Sequence, residues 1–109
     1  MQLISILFGF VFGLLAATVA AADLPLERIA LPPGFSIQLW ARVDNARQMA
    51  LGAHDSTGGT LFVGSMQAGK VHAVRFGPDY APLATSQVAS GLQRPVGVAY
   101  RNGSLYVSA

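Results

Sequence analysis

The chain has 109 residues, room for one small domain, and its seven Lys+Arg against five Asp+Glu leave a net charge of +2. That balance is too weak to support a nucleic-acid groove, and no basic patch with interleaved aromatics appears. The absence of cysteine excludes a disulfide framework, a thiolate metal site and an attached c-type haem within this chain.

The first 22 residues, MQLISILFGFVFGLLAATVAAA, carry no charged side chain. An apolar run from Leu3 to Ala17 gives way to small residues, and Ala20-Ala21-Ala22 offers an A-x-A cleavage site before Asp23. This is the pattern of a secretory signal peptide, and it is short for a bilayer-spanning helix, which needs roughly twenty apolar residues. The n-region lacks Lys and Arg, so only the α-amino group is positive there, and an uncleaved anchor is the alternative. The expectation is a signal peptide over 1–22 and a mature protein in a periplasm or outside the cell, membrane-attached only if the signal stays.

The mature part, 23–109, reads as short strands between turn residues. Pro32-Pro33-Gly34 breaks the chain, and FSIQLW (35–40) then alternates apolar with polar, as a half-buried strand does. Residues 48–53 form a second, mostly apolar run, ended by a turn over 54–59. TLFVGS (60–65) is a third strand, 66–69 turn the chain, and KVHAVRF (70–76) follows until Gly77-Pro78-Asp79 breaks it. Residues 86–89 make a weak further strand. The runs 95–100 and 104–108 are joined by Arg101-Asn102-Gly103, and Asn-Gly between apolar runs is the strongest short hairpin signal because both residues tolerate φ > 0. No mature segment has a helical period, so the expected class is all-β.

An internal repeat sharpens this reading. Arg47-Gln48-Met49-Ala50-Leu51-Gly52 matches Arg94-Pro95-Val96-Gly97-Val98-Ala99 in character, and Leu61-Phe62-Val63 matches Leu105-Tyr106-Val107. The second match is offset by three residues fewer than the first, a difference expected in the turn. A period of about 45 with short strands marks a β-propeller blade. A β-sandwich with two chance-similar hairpins is the plainer alternative. The blade reading divides the mature chain into a first blade at about 35–90 and the start of a second at 91–109, about one and a half to two blades where closure takes four to eight. The chain is therefore expected to be the N-terminal fragment of a propeller, behind a signal-peptide helix.

The runs LPPGFSIQLWARVDNARQMALG, GTLFVGSMQAGKVHAVRFG and GLQRPVGVAYRNGSLYVSA together resemble the start of the sorbosone and soluble glucose dehydrogenases. The resemblance covers most of the mature chain, from Leu31 to Ala109. It implies a six-bladed propeller that oxidises aldoses or related polyols with pyrroloquinoline quinone (PQQ), with calcium in the full-length protein. A sugar substrate and an electron acceptor are the implied partners of that parent. In such a propeller the loops at 44–47, 65–69 and 91–94 share the cofactor face. PQQ carries three carboxylates and an ortho-quinone, so Arg47 and Arg94 suit the acids and Gln93 the quinone oxygens. Gln93 stands one residue off the family's glutamine, and each Arg could equally cap its loop or pair with a surface acid.

The family's catalytic histidine belongs to a motif absent from this chain, and its calcium sites are built from later blades. His54, expected in a turn on the opposite face, and His72, mid-strand, read as structural or solvent-facing. Asp55-Ser56-Thr57-Gly58-Gly59 offers one carboxylate, too few for calcium, and the hairpin turn accounts for the sequon Asn102-Gly103-Ser104. No catalytic or metal-ligating residue is therefore assigned. A non-catalytic secreted propeller that binds a ligand, or a secreted structural fragment, are the alternatives to the dehydrogenase reading.

Overall fold

The computed structural model describes residues 24–109. The expected signal peptide lies outside the described residues. The chain divides into two units, the first ending at Ile37 and the second running Gln38–Ala109. In the first unit, a single 3-10 turn, Leu26–Arg28, precedes the Pro32-Pro33-Gly34 turn, where the Phe35 N–H donates to the Pro32 carbonyl at 3.2 Å.

The second unit is all-β. Strands β1 (Ala46–Asp55), β2 (Gly58–Ser65), β3 (Val71–Phe76) and β4 (Pro82–Ala89) form one antiparallel sheet in the order β1-β2-β3-β4. Strands β5 (Val98–Arg101) and β6 (Ser104–Val107) form a separate two-stranded sheet. The pairing of 48–53 with 60–65, and of 60–65 with 70–76, follows the expectation, as does the new sheet after Pro95. The segment 35–40 does not. It lies in no strand, because alternation makes a segment fit for a sheet edge but supplies no partner for its backbone groups.

The core centres on β3, which like β2 is flanked on both sides. Val71 and Val74 are wholly buried, and Val63, Ala73 and Phe76 are nearly so. Cross-strand partners point to the same side of a sheet, so the register Met49↔Val63, Leu51↔Leu61 and Leu61↔Val74 defines one face. Trp40, Ala41 and Val43 line a hollow over that face with Met49, Leu61, Val63 and Val74. Trp40 meets Phe76 at a ring separation of 6.0 Å and donates its Nε1–H to the Tyr80 carbonyl at 2.6 Å. The opposite face meets the second sheet, where the Phe62 and Tyr100 rings stack at 5.7 Å with 20° between their planes. Gly52 lies under the Phe62 ring, where a Cβ would come within 2.6 Å of it.

The two sheets join at the backbone. The Ser65 N–H donates to the Pro95 carbonyl at 3.1 Å, and a Cβ on Gly64 would collide with that same oxygen and lie 2.7 Å from the Val96 carbonyl oxygen. Ser65 is fully buried, yet its hydroxyl donates to the Lys70 carbonyl at 2.8 Å and accepts the Lys70 N–H at 2.9 Å. Both capacities being met, burial of this polar group carries little penalty.

Both hairpins close with two-residue turns, so the three-residue difference between the repeats is not in the turn. It lies in the strands: β1 and β2 have 10 and 8 residues, β5 and β6 have 4 each. A register shift in β1 between Leu51 and His54 absorbs the odd residue. Leu51 therefore faces Leu61, while Val98 faces Val107 and Tyr100 faces Leu105. The offset from the sequence alignment is two residues, an even number, so Leu105 shares a face with Val98 as Leu61 does with Leu51. At the second turn Asn102 and Gly103 have φ of 50° and 80°, the primed turn that an Asn-Gly pair favours. At the first, Asp55 Oδ1 accepts both the Thr57 N–H at 2.8 Å and the Thr57 hydroxyl at 2.6 Å. Those two bonds, the hydroxyl's first, hold the Asp55 carboxyl below its ordinary pKa.

Candidate functional site

The three loops expected on one face do gather, and a single side chain does much of the gathering. Asn45 sits at φ 52° just ahead of β1, a left-handed conformation that Asn tolerates better than most residues. Its Oδ1 accepts the backbone N–H groups of Met66 at 3.0 Å, Gln67 at 2.8 Å and Ala68 at 3.4 Å. The β2–β3 loop is thereby fastened to the turn that leads into β1. The same loop is fastened on its other side, where the Leu92 N–H donates to the Gly69 carbonyl at 3.0 Å. Gly69 has φ 66°, and a Cβ there would lie 2.6 Å from the Leu92 carbonyl oxygen, so no other residue fits this approach.

Between the second and third of these loops lies an open cleft of about 410 Å³, lined by Met66, Gln67, Leu92, Gln93, Arg94 and Ala109. Two of the three expected site residues, Gln93 and Arg94, therefore share one cleft. Arg94 is held at φ 48° with its carbonyl accepting the Val96 N–H at 2.7 Å. For a non-glycine residue that conformation costs about 1–2 kcal/mol, and such strain is characteristic of binding and switch segments. The buried Pro95 that follows, bonded to Ser65, fixes the turn in place.

Arg47 is not among the residues lining the cleft. It lies exposed on β1, inside the irregularity between the Ala46↔Ser65 and Met49↔Val63 pairs. An extra residue at that point bends a strand and re-aims its side chains, two positions beyond the Asn45 anchor. The structure thus unites Gln93 with Arg94 and leaves Arg47 on the adjoining strand.

Neither histidine belongs to this cleft. His54 lies within β1 rather than in a turn, its Nδ1 3.0 Å from the Gly52 carbonyl oxygen. It borders a separate apolar hollow with Trp40, Leu51, Leu61, Phe76 and Tyr80. His72 lies on β3 opposite Val63 and Gln87, with its Nδ1 buried and unpartnered. No cluster of three or more His, Cys, Asp or Glu side chains occurs among the described residues, and no described helix is long and apolar enough to cross a membrane.

Sequence reasoning missed Asn45 and Gln67. The first left a signal, an Asp-Asn pair placed between an apolar segment and a strand, where turn-forming residues are expected. The second left its place in loop 65–69, already expected on the same face as 91–94, but the sequence does not show which side chain of that loop lines the cleft. Comparison with known proteins brings no relative to bear on this cleft: no family model, curated protein or solved structure matches the chain.

Proposed function

We propose that the protein is the N-terminal portion of an exported PQQ-dependent sugar dehydrogenase. In this reading β1–β4 form one propeller blade, and β5–β6 open the next. The observation that carries it is the convergence of 44–47, 66–69 and 91–94 on one end of the sheets, with Gln93 and Arg94 lining the cleft between the latter two. The four-stranded antiparallel order, followed at once by a second sheet packed on its face, supports the blade assignment.

The donor set suits a polycarboxylate. Gln67 and Gln93 offer amide donors, Arg94 a planar guanidinium that pairs carboxylate oxygens in twos, and no carboxylate side chain competes among the lining residues. Arg47, on the adjoining strand, would meet a second acid group. When bound, PQQ supplies an ortho-quinone that accepts hydride from a sugar carbon. The part of these residues is to hold and orient that group, with Arg94 pre-set by its strained backbone.

Two charge-assisted bonds at about 2 kcal/mol each sum to about 4 kcal/mol, which corresponds to binding in about the millimolar range. Titration of the protein with PQQ, followed by NMR, should shift the amides of Gln93 and Arg94, and Arg94→Ala should abolish those shifts at the same concentrations. Equal shifts in wild type and variant would remove the cleft from consideration as the cofactor face.

Export belongs to the same proposal. Cleavage after the Ala20-Ala21-Ala22 run gives a mature N-terminus close to Asp23, which intact-mass measurement of the secreted product would read directly. Recovery of membrane-bound protein that retains Met1 would replace the signal with an anchor.

A further inference from the structure

We propose that Gln67 is a ligand-binding residue of this cleft and that Asn45 is the positioning residue that holds it there. The inference rests on the cofactor-face reading above and adds two residues to it. Gln67 is exposed and lines the cleft together with Gln93 and Arg94. Its backbone makes the shortest of the three bonds to Asn45 Oδ1, at 2.8 Å. Its carboxamide is able to donate to a carboxylate or a quinone oxygen.

A loop between two strands is ordinarily among the more mobile parts of a fold. This one is secured from both sides, by Asn45 at 66–68 and by the bond from Leu92 to Gly69. Three N–H groups converging on one oxygen fix the loop far more tightly than the hairpin alone requires. The two-residue β1–β2 turn is closed instead by the local Asp55–Thr57 bonds, from a side chain of its own hairpin. A restrained loop lowers the ordering cost when a ligand binds, which is the return for placing an Asn at positive φ.

The test uses two substitutions at Asn45. Asn45→Gly keeps the left-handed turn free of strain and removes the acceptor, whereas Asn45→Asp keeps the acceptor. In Asn45→Gly the amides of Met66, Gln67 and Ala68 should exchange with solvent about tenfold faster. The amides of the β2–β3 ladder, such as Phe62 and Ala73, should exchange as before. Asn45→Asp should retain the wild-type protection at 66–68. With PQQ as the probe, the wild-type protein should show shifts at Gln67 together with Gln93 and Arg94, and Asn45→Gly should lose the Gln67 shift. Shifts at Gln93 and Arg94 without Gln67, or a Gln67 shift indifferent to Asn45→Gly, would overturn this inference and leave the cofactor face intact. Shifts elsewhere, or none, would overturn both. Unchanged exchange at 66–68 in Asn45→Gly would dismiss Asn45 as the anchor whatever PQQ does.

Discussion

Gly64→Val should destabilise the protein by about 3 kcal/mol, although a β-branched residue in mid-sheet ordinarily stabilises a strand. The reason is the seam between the two sheets. A Cβ at Gly64 meets the carbonyl oxygens of Pro95 and Val96, and backbone atoms, unlike a side chain, have no rotamer by which to withdraw. Overpacking of this kind costs about 1–3 kcal/mol. Forcing 95–96 away also breaks the bond from the Ser65 N–H to Pro95, worth about 1 kcal/mol. Gly77→Ala is the matching control, because a Cβ there makes only ordinary contact with the Leu83 side chain, 3.6 Å at the nearest. That change should stay within about 0.5 kcal/mol. Urea unfolding of the two variants separates the possibilities. A raised or unchanged midpoint for Gly64→Val would mean that β2 and the segment before β5 do not meet backbone to backbone.

The same seam marks the limit of what the sequence disclosed. Local signals were legible: Asn102-Gly103 carries its turn in its own φ preferences, and runs adjacent in the chain pair as neighbouring strands. Segment 35–40 failed because alternation describes one strand while pairing requires two, and the second is not specified locally. The turn after β1 was read as six residues, 54–59, because His-Asp-Ser-Thr-Gly-Gly is polar throughout. Pairing of His54 with Gly59 and of Asp55 with Gly58 instead continues the ladder to a two-residue turn, with the Asp55–Thr57 bonds closing it. Buried Ser65 was invisible for a related reason: its burial depends on Lys70 supplying both a donor and an acceptor. At the site, residue chemistry and topology were enough to nominate Gln93 and Arg94. Arg47 was nominated on the same grounds, but it lies within the β1 irregularity rather than in the cleft lining, and that irregularity has no mark in the sequence.

The protein supplied with PQQ, calcium and either glucose or sorbosone should reduce a dye no faster than free PQQ does under the same conditions. Oxidation of a sugar hydroxyl carbon requires that the hydroxyl proton leave to a base as hydride departs from carbon. A positioned base is worth about 10²–10⁴ in rate, and it must lie within hydrogen-bond reach of the proton or one water away. The cleft lining includes no histidine and no carboxylate side chain. His54 is set in β1 against Gly52, and His72 is set in β3 with its Nδ1 enclosed. Neither borders the cleft, and strand residues in a hydrogen-bonded ladder do not migrate to one without loss of the sheet. Arg94, Gln93 and Gln67 are donors at neutral pH and accept no proton of this kind apart from weak amide oxygens. On the proposed reading, the residues lining the cleft would hold an anionic cofactor, and they include no base to turn it over. The decisive measurement is the initial rate of dye reduction against sugar concentration. A rate that saturates with sugar would place a base within this chain, and loss of that rate in His54→Ala or His72→Ala would identify it and move the active site to the opposite end of the sheet or into its ladder.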